Sequence, residues 1–120
     1  MALREPPAIE GFGGGGFRIA GERFEGSVLI LDDRVRPWLV AALAELTADH
    51  LDAVLAAGRE AVEFMLLGTG PATAPPPKAV RLALEEAGLG LEVMDTPSAC
   101  RVYNMLAQEG RRVAAALIAV

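Results

Sequence analysis

Cysteine, histidine and aromatic residues are scarce in this chain: one Cys (Cys100), one His (His50), and Phe, Trp and Tyr together at 5% of 120 residues. A lone cysteine forms no internal disulfide and no cysteine-based metal site, in keeping with a reducing compartment. His50 has no second histidine and no carboxylate at convincing ligand spacing, so no metal centre is expected. With so few aromatics there is no stacking platform for bases. Sixteen acids against 11 bases give a net charge of −5, and no basic block exceeds Arg111-Arg112, so a phosphate-tracking surface is unsupported. The longest apolar run, Val113 to Val120, falls well short of the roughly 18 residues that cross a bilayer. The opening residues, MALREPPAIEGF, lack the pattern of a secretory leader. A Walker A loop is also missing. Together these absences predict a cytoplasmic chain with no membrane span, no nucleic-acid partner and no cofactor or metal.

What is present is a hydrophobic content of 52%, enough for the core of a single domain over residues 1–120. The glycine run Gly11–Gly16 reads as a flexible lead-in, taking residues 1–16 with it, or as a tight turn. Phe17–Ala20 and Gly26–Leu31 read as strands with a polar GERFE segment between them that turns or pairs as a hairpin. Val28-Leu29-Ile30-Leu31 is apolar on both faces, as a strand covered on both sides must be, and Asp32-Asp33 ends it. Trp38, Leu39 and Val40 follow Pro37 as a short apolar segment. Thr47 is an N-cap for a helix with Leu51, Val54 and Leu55 on one face and Gly58 as its stop. Val62–Leu67 is a buried strand running into Gly68-Thr69-Gly70 and the proline-rich PATAPPP. A second helix starts near Pro76 or Pro77 and shows Val80, Ala83, Leu84 and Ala87 at helical spacing before Gly88. Leu91–Met94 is a short strand. Thr96 caps a third helix with Ala99, Val102, Tyr103 and Leu106 on its apolar face, Gly110 ends it, and Arg111–Ala119 is the last strand. An antiparallel first half and a strand-helix-strand second half predict an α/β fold with a mixed sheet and about three helices.

Several of these residues also form a pattern. Thr96, Ala99, Cys100, Arg101, Tyr103, Asn104, Leu106, Glu109, Gly110 and Arg111 are joined upstream by Gly15 to Ile19, by Gly26 and Ser27, by Gly68 and Gly70 after a strand, and by Glu92 to Thr96. In these positions the chain resembles the domain-of-unknown-function 498 family, whose mitochondrial members are known as complex I assembly factor 3. The likeness runs from about Ile9 to the end, with Val102 standing where that family carries a Thr. The resemblance implies a three-layer β/β/α domain, protein partners among respiratory-complex assembly components, and a homo-oligomer.

Candidate sites are weighed against ordinary structural roles. The turn Gly68-Thr69-Gly70 lies where open α/β sheets bind ligands. Lys78 and Arg81 sit at the positive end of the second helix and Glu85 and Glu86 at its negative end, the reverse of the usual bias. That arrangement either keeps a surface positive for an anionic metabolite or reflects Arg81–Glu85 pairing on a solvated face. With Asp95, Thr96 and Asn104 these residues outline a ligand cleft. Cys100, without a base in reach, reads as a buried helix cysteine rather than a nucleophile. His50 reads as an exposed first-turn residue, and Tyr103 as a helix anchor with its hydroxyl bonded. Trp38 and Leu39, taken as exposed, and Arg101 are candidate interface residues. Two functions remain: a non-enzymatic binding or assembly module, or a small-molecule binder or enzyme built on the Gly68–Gly70 loop.

Overall fold

The computed structural model describes residues 4–120. It begins with three hairpin strands, β1 (Ile9–Gly13), β2 (Gly16–Ile19) and β3 (Glu22–Glu25), and continues with β4 (Val28–Leu31) and β5 (Arg34–Pro37). Two 3-10 turns (Leu43–Glu45, Ala48–Leu51) lead to α1 (Asp52–Ala61), β6 (Phe64–Gly68), α2 (Lys78–Glu86), β7 (Gly90–Met94), α3 (Thr96–Gln108) and β8 (Val113–Leu117). Strands β1-β2-β3 form an antiparallel sheet, and the other five are ordered β5-β4-β8-β6-β7. In the larger sheet β4 is antiparallel to β5 and β8, while β6 is parallel to β8 and β7. This is the mixed α/β architecture that the alternation of elements implies.

Three two-residue turns build the antiparallel part. Gly14-Gly15, Ala20-Gly21 and Asp32-Asp33 all have positive φ at both positions, the type I′ geometry whose twist matches that of paired strands. Glycine supplies it without steric cost and aspartate tolerates it. The glycine run is therefore a hairpin. Residues 9–13, read as part of a flexible lead-in, are strand β1, and residues 1–3 of that expected lead-in lie outside the described residues. Asp32-Asp33 does end β4, but it also turns the chain into β5, which the polar sequence RVRP conceals.

The five-stranded sheet is the middle layer, which explains its apolar strands. Every residue of β4 and β8 is buried. On one face, Leu29, Leu31, Met65, Leu67, Ala114 and Ala116 meet Leu51 and Val54 and, from α2, Val80 and Leu84. On the other, Val28, Ile30, Leu66, Ala115 and Leu117 meet Phe17 and Ile19 of the small sheet and Ala99, Cys100 and Tyr103 of α3. The expected layer of helix is thus divided: α1 and α2 cover one face, and α3 shares the other with β1–β3. The alanines of β8 let both layers approach closely.

The helix ends differ in detail from the sequence reading. Thr47 caps a 3-10 turn, exchanging hydrogen bonds with His50, and α1 proper begins at Asp52. Gly58, expected as the stop, breaks the helical conformation with φ 71°. The cap of α3 is Asp95, whose carboxylate accepts from the Ser98 N–H at 2.8 Å; Thr96 and Pro97 are the first helical residues.

Candidate functional site

The turn after β6 is filled by its own side chains. The Gly70 N–H donates to Thr96 Oγ1 at 2.9 Å, and that hydroxyl donates to the Ile118 carbonyl at 2.7 Å. The Thr96 N–H donates to the Gly70 carbonyl at 2.8 Å and the Ile118 N–H to Gly68 at 3.0 Å. Thr69 Oγ1 donates to the Ala72 carbonyl at 2.7 Å. A β-carbon on Gly68 would stand 2.9 Å from Thr96 Oγ1 and 3.0 Å from its Cα, so glycine is required for α3 to approach the strand. Gly68, Thr69, Gly70 and Thr96 are all buried. This is a structural knot joining β6, α3 and the end of β8.

The other residues proposed for the cleft do not gather at one point. The Asp95 carboxylate also accepts from the Ser98 hydroxyl at 3.0 Å, and its own N–H donates to Thr73 Oγ1 at 3.0 Å. The Ser98 N–H holds its carboxyl below the usual carboxylate range, and the carboxylate already fills the anion-attracting start of α3. Asn104 stands eight residues further on, about 12 Å along the helix. Its amide accepts from the Ile9 N–H and donates to the Ile9 carbonyl, both at 2.8 Å, so it pairs with the edge of β1 as a strand would. Lys78 and Arg81 are exposed on α2, and neither belongs to an ion pair among the described residues. Arg81 and Glu85, one turn apart, do not make the pair considered from sequence.

Nor does the geometry activate a nucleophile. Cys100 is 2% exposed, and burial pushes its thiol up to about 12. Burial likewise pushes Tyr103 up to about 12, with the Asp33 carboxylate adding to the effect. Among the described residues no buried side-chain nitrogen or oxygen, the Tyr103 hydroxyl included, stands as an unpartnered polar atom. His50 is half-buried rather than exposed. Its Nδ1 accepts from the Thr47 N–H at 3.0 Å and its carbonyl accepts from Trp38 Nε1 at 3.0 Å. That places it with the core on the opposite sheet face from Cys100. Among the described residues no three His, Cys, Asp or Glu side chains are grouped as metal ligands.

The feature that stands open is at the same end of the strands, toward the β5 edge of the sheet. Ser27 fixes the chain after β5: its hydroxyl donates to the Val40 carbonyl at 2.6 Å and accepts from the Ala119 N–H at 3.0 Å, while its carbonyl accepts from the Trp38 N–H at 2.9 Å. The Val40 N–H donates to the Trp38 carbonyl at 2.9 Å, a three-residue turn with Leu39 at its tip. Trp38 and Val40 are therefore driven inward, at 6% and 1% exposure, and Leu39 outward at 85%. Trp38 is a core residue, correcting the expectation that it is exposed; its ring packs beneath the 3-10 turns, with Nε1 bonded to the His50 carbonyl. Leu39 borders a groove of about 390 Å³ lined also by Ser27, Trp38, Val40, Ala41 and Glu45. Arg101 is exposed on α3, the helix that packs on the opposite sheet face.

One tie escaped sequence reasoning. Arg4 pairs with Asp33 through Nη2 at 2.8 Å and Nε at 3.0 Å, and its Nη1 donates to the Gly110 carbonyl at 3.1 Å. It joins the start of the chain to the β4–β5 turn and the end of α3. An N-terminal arginine carries no spacing signal that would reveal such a partner.

Residues 9–118 match the model of the family described as "protein of unknown function (DUF498/DUF598)". The chain belongs to that family. Among DUF498/DUF598 relatives, an uncharacterized protein of Rhodobacter capsulatus is 41% identical over 123 residues, covering 98% of this chain and 93% of its own. Human NADH dehydrogenase (ubiquinone) 1 alpha subcomplex assembly factor 3 is 34% identical over 110 residues, which cover 92% of this chain and 59% of the human protein. The chain thus spans about three fifths of that relative. A crystal structure from Bartonella henselae, described as an outer membrane protein, superposes with a TM-score of 0.89 at 30% identity, over 96% of both chains. Among the described residues no helix is long and apolar enough to cross a membrane.

Proposed function

We propose that this chain is a non-enzymatic binding module that assists respiratory complex I assembly by protein-protein contacts, and that a protein partner docks on the Leu39 groove. The observation that carries the reading is the rigid presentation of Leu39, 85% exposed between two buried neighbours and held by the Ser27 hydrogen bonds. A leucine kept so exposed loses apolar burial that a partner restores, and a fixed backbone reduces the entropy lost on docking. The name of the human relative as a complex I assembly factor supports the choice of partner. The filled turn at Gly68–Gly70 supports binding at this surface over a ligand cleft.

The test is affinity isolation of the tagged protein from its own cells after mild cross-linking, comparing wild type with Leu39→Asp. Complex I subunits enriched with wild type and lost with the variant are the expected result. Equal recovery with both proteins places docking elsewhere, and an absence of complex I subunits from both sinks the assembly reading.

A further inference from the structure

Four strands stand at sheet edges: β5 and β7 in the larger sheet, β1 and β3 in the smaller. Three of them are guarded in the ways by which edges resist pairing, namely charge, proline, bulge or cover. Strand β5 presents exposed Arg34 and Arg36 and ends in Pro37. Strand β3 presents exposed Glu22, Arg23 and Glu25. Strand β1 changes register between Ile9 and Gly11, and the Asn104 amide occupies the Ile9 backbone. Strand β7, with sequence GLEVM, holds unbroken register with β6 from Gly90 to Met94 and carries a single charge, Glu92. In a parallel ladder each residue turns its N–H and C=O to the same side. The Met94 carbonyl accepts from Thr69 N–H on the β6 side, so Leu91 and Val93 turn theirs to the open side. The open stretch stops at Asp95, whose N–H is taken by Thr73.

Helix α2, which packs beside this edge, has an oddity of its own. Its charges oppose the helix dipole, with Lys78 and Arg81 near the start and Glu85 and Glu86 at the end, an unfavourable arrangement for a solitary helix. None of the four is ion-paired among the described residues. Arg81 and Glu85 each follow a buried residue, Val80 and Leu84; in a right-handed crossover that flank is turned toward the free side of β7. Two such helices laid antiparallel set the basic end of each against the acidic end of the other.

One two-fold axis accounts for both features. We infer that a second copy of this chain pairs at β7, antiparallel and centred on Leu91, so that two five-stranded sheets become one of ten strands and Arg81 of each copy faces Glu85 of the other. An antiparallel β7 pair carries α2 with it in antiparallel order, giving a self-complementary, isologous contact. Centring on Leu91 sets Glu92 across from Gly90, whereas a register centred on Glu92 would oppose two carboxylates. Leu39 follows β5, the opposite edge of the sheet, so the dimer leaves two docking grooves open and stands independently of what docks there.

Sedimentation velocity over a concentration series tests this pairing on the full chain. Wild type is expected to dimerise. Arg81→Glu, an exposed change that brings like charges together at two symmetric contacts, should weaken the dimer at least about tenfold; Arg81→Glu with Glu85→Arg should restore it. Amide exchange at Leu91 and Val93 should slow as dimer forms. A monomer at every concentration overturns the proposal. So does a dimer indifferent to Arg81→Glu, a double variant that fails to recover, or exchange at Leu91 that ignores concentration.

Discussion

Replacing Thr96 by valine removes one hydroxyl and little volume, and the structure sets the consequence. The hydroxyl accepts from Gly70 N–H and donates to the Ile118 carbonyl at a site with 0% exposure. After substitution a backbone donor and a backbone acceptor are left buried. Each unsatisfied group costs roughly 1–3 kcal/mol, so Thr96→Val should lose about 2–6 kcal/mol, a large fraction of the roughly 5–15 kcal/mol that stabilises a domain. Thr96→Ser keeps both hydrogen bonds and loses one methyl, for about 1 kcal/mol. Guanidinium unfolding followed by circular dichroism measures both. With a slope near 4 kcal/mol/M, a loss of about 4 kcal/mol moves the midpoint by about 1 M. If Thr96→Val costs no more than Thr96→Ser, the knot between β6, α3 and β8 does not hold the fold as described.

Further expectations follow from burial. Trp38→Phe removes the Nε1 donor to the His50 carbonyl and should cost about 1–3 kcal/mol in the same unfolding assay; a neutral result would mean that the indole is not seated under the 3-10 turns. Leu39→Asp, at an exposed position, should change stability by less than about 0.5 kcal/mol. Cys100 and Tyr103 both rise to about 12 in the folded chain, from ordinary values of 9.0 and 10.0. Both therefore release protons more readily when unfolded, so stability is full below about pH 9 and falls as pH climbs toward 12, by at most about 1.4 kcal/mol per unit per group. Cys100→Ala should flatten that decline, and native Cys100 should resist thiol reagents at pH 8 until the chain unfolds. Prompt labelling of the folded protein would contradict the burial assigned to it.

The sequence revealed those parts of the fold whose side chains carry the pattern. VLIL, VEFMLL and VAAALI read as strands covered on both faces because they occupy the middle layer, and α2 and α3 announced themselves through apolar spacing, prolines and terminal glycines. Strand β1 stayed hidden since Gly11 and Gly13 show no alternation; it is held by β2 and Asn104, a partner 95 residues away in sequence. Strand β5 stayed hidden since a guarded edge is polar by nature. Thr96 and Asp95 are both good caps, and sequence alone does not tell which hydroxyl or carboxylate is drawn into the core. The Gly68–Gly70 turn is ambiguous for a related reason: glycine and threonine after a strand mark either close approach to a ligand or close approach to another element, and here α3 makes the close approach. Apolar character brought Trp38 and Leu39 forward together, yet only the three-residue turn separates the buried ring from the exposed leucine.

The most direct measurement of the proposed assembly role is the native-gel profile of respiratory complex I in cells lacking this protein, complemented with wild type or with Leu39→Asp. Incomplete subcomplexes should accumulate in the deletion strain, clear with wild type, and persist with Leu39→Asp present at equal abundance. Mature complex I at normal levels in the deletion strain would contradict that role.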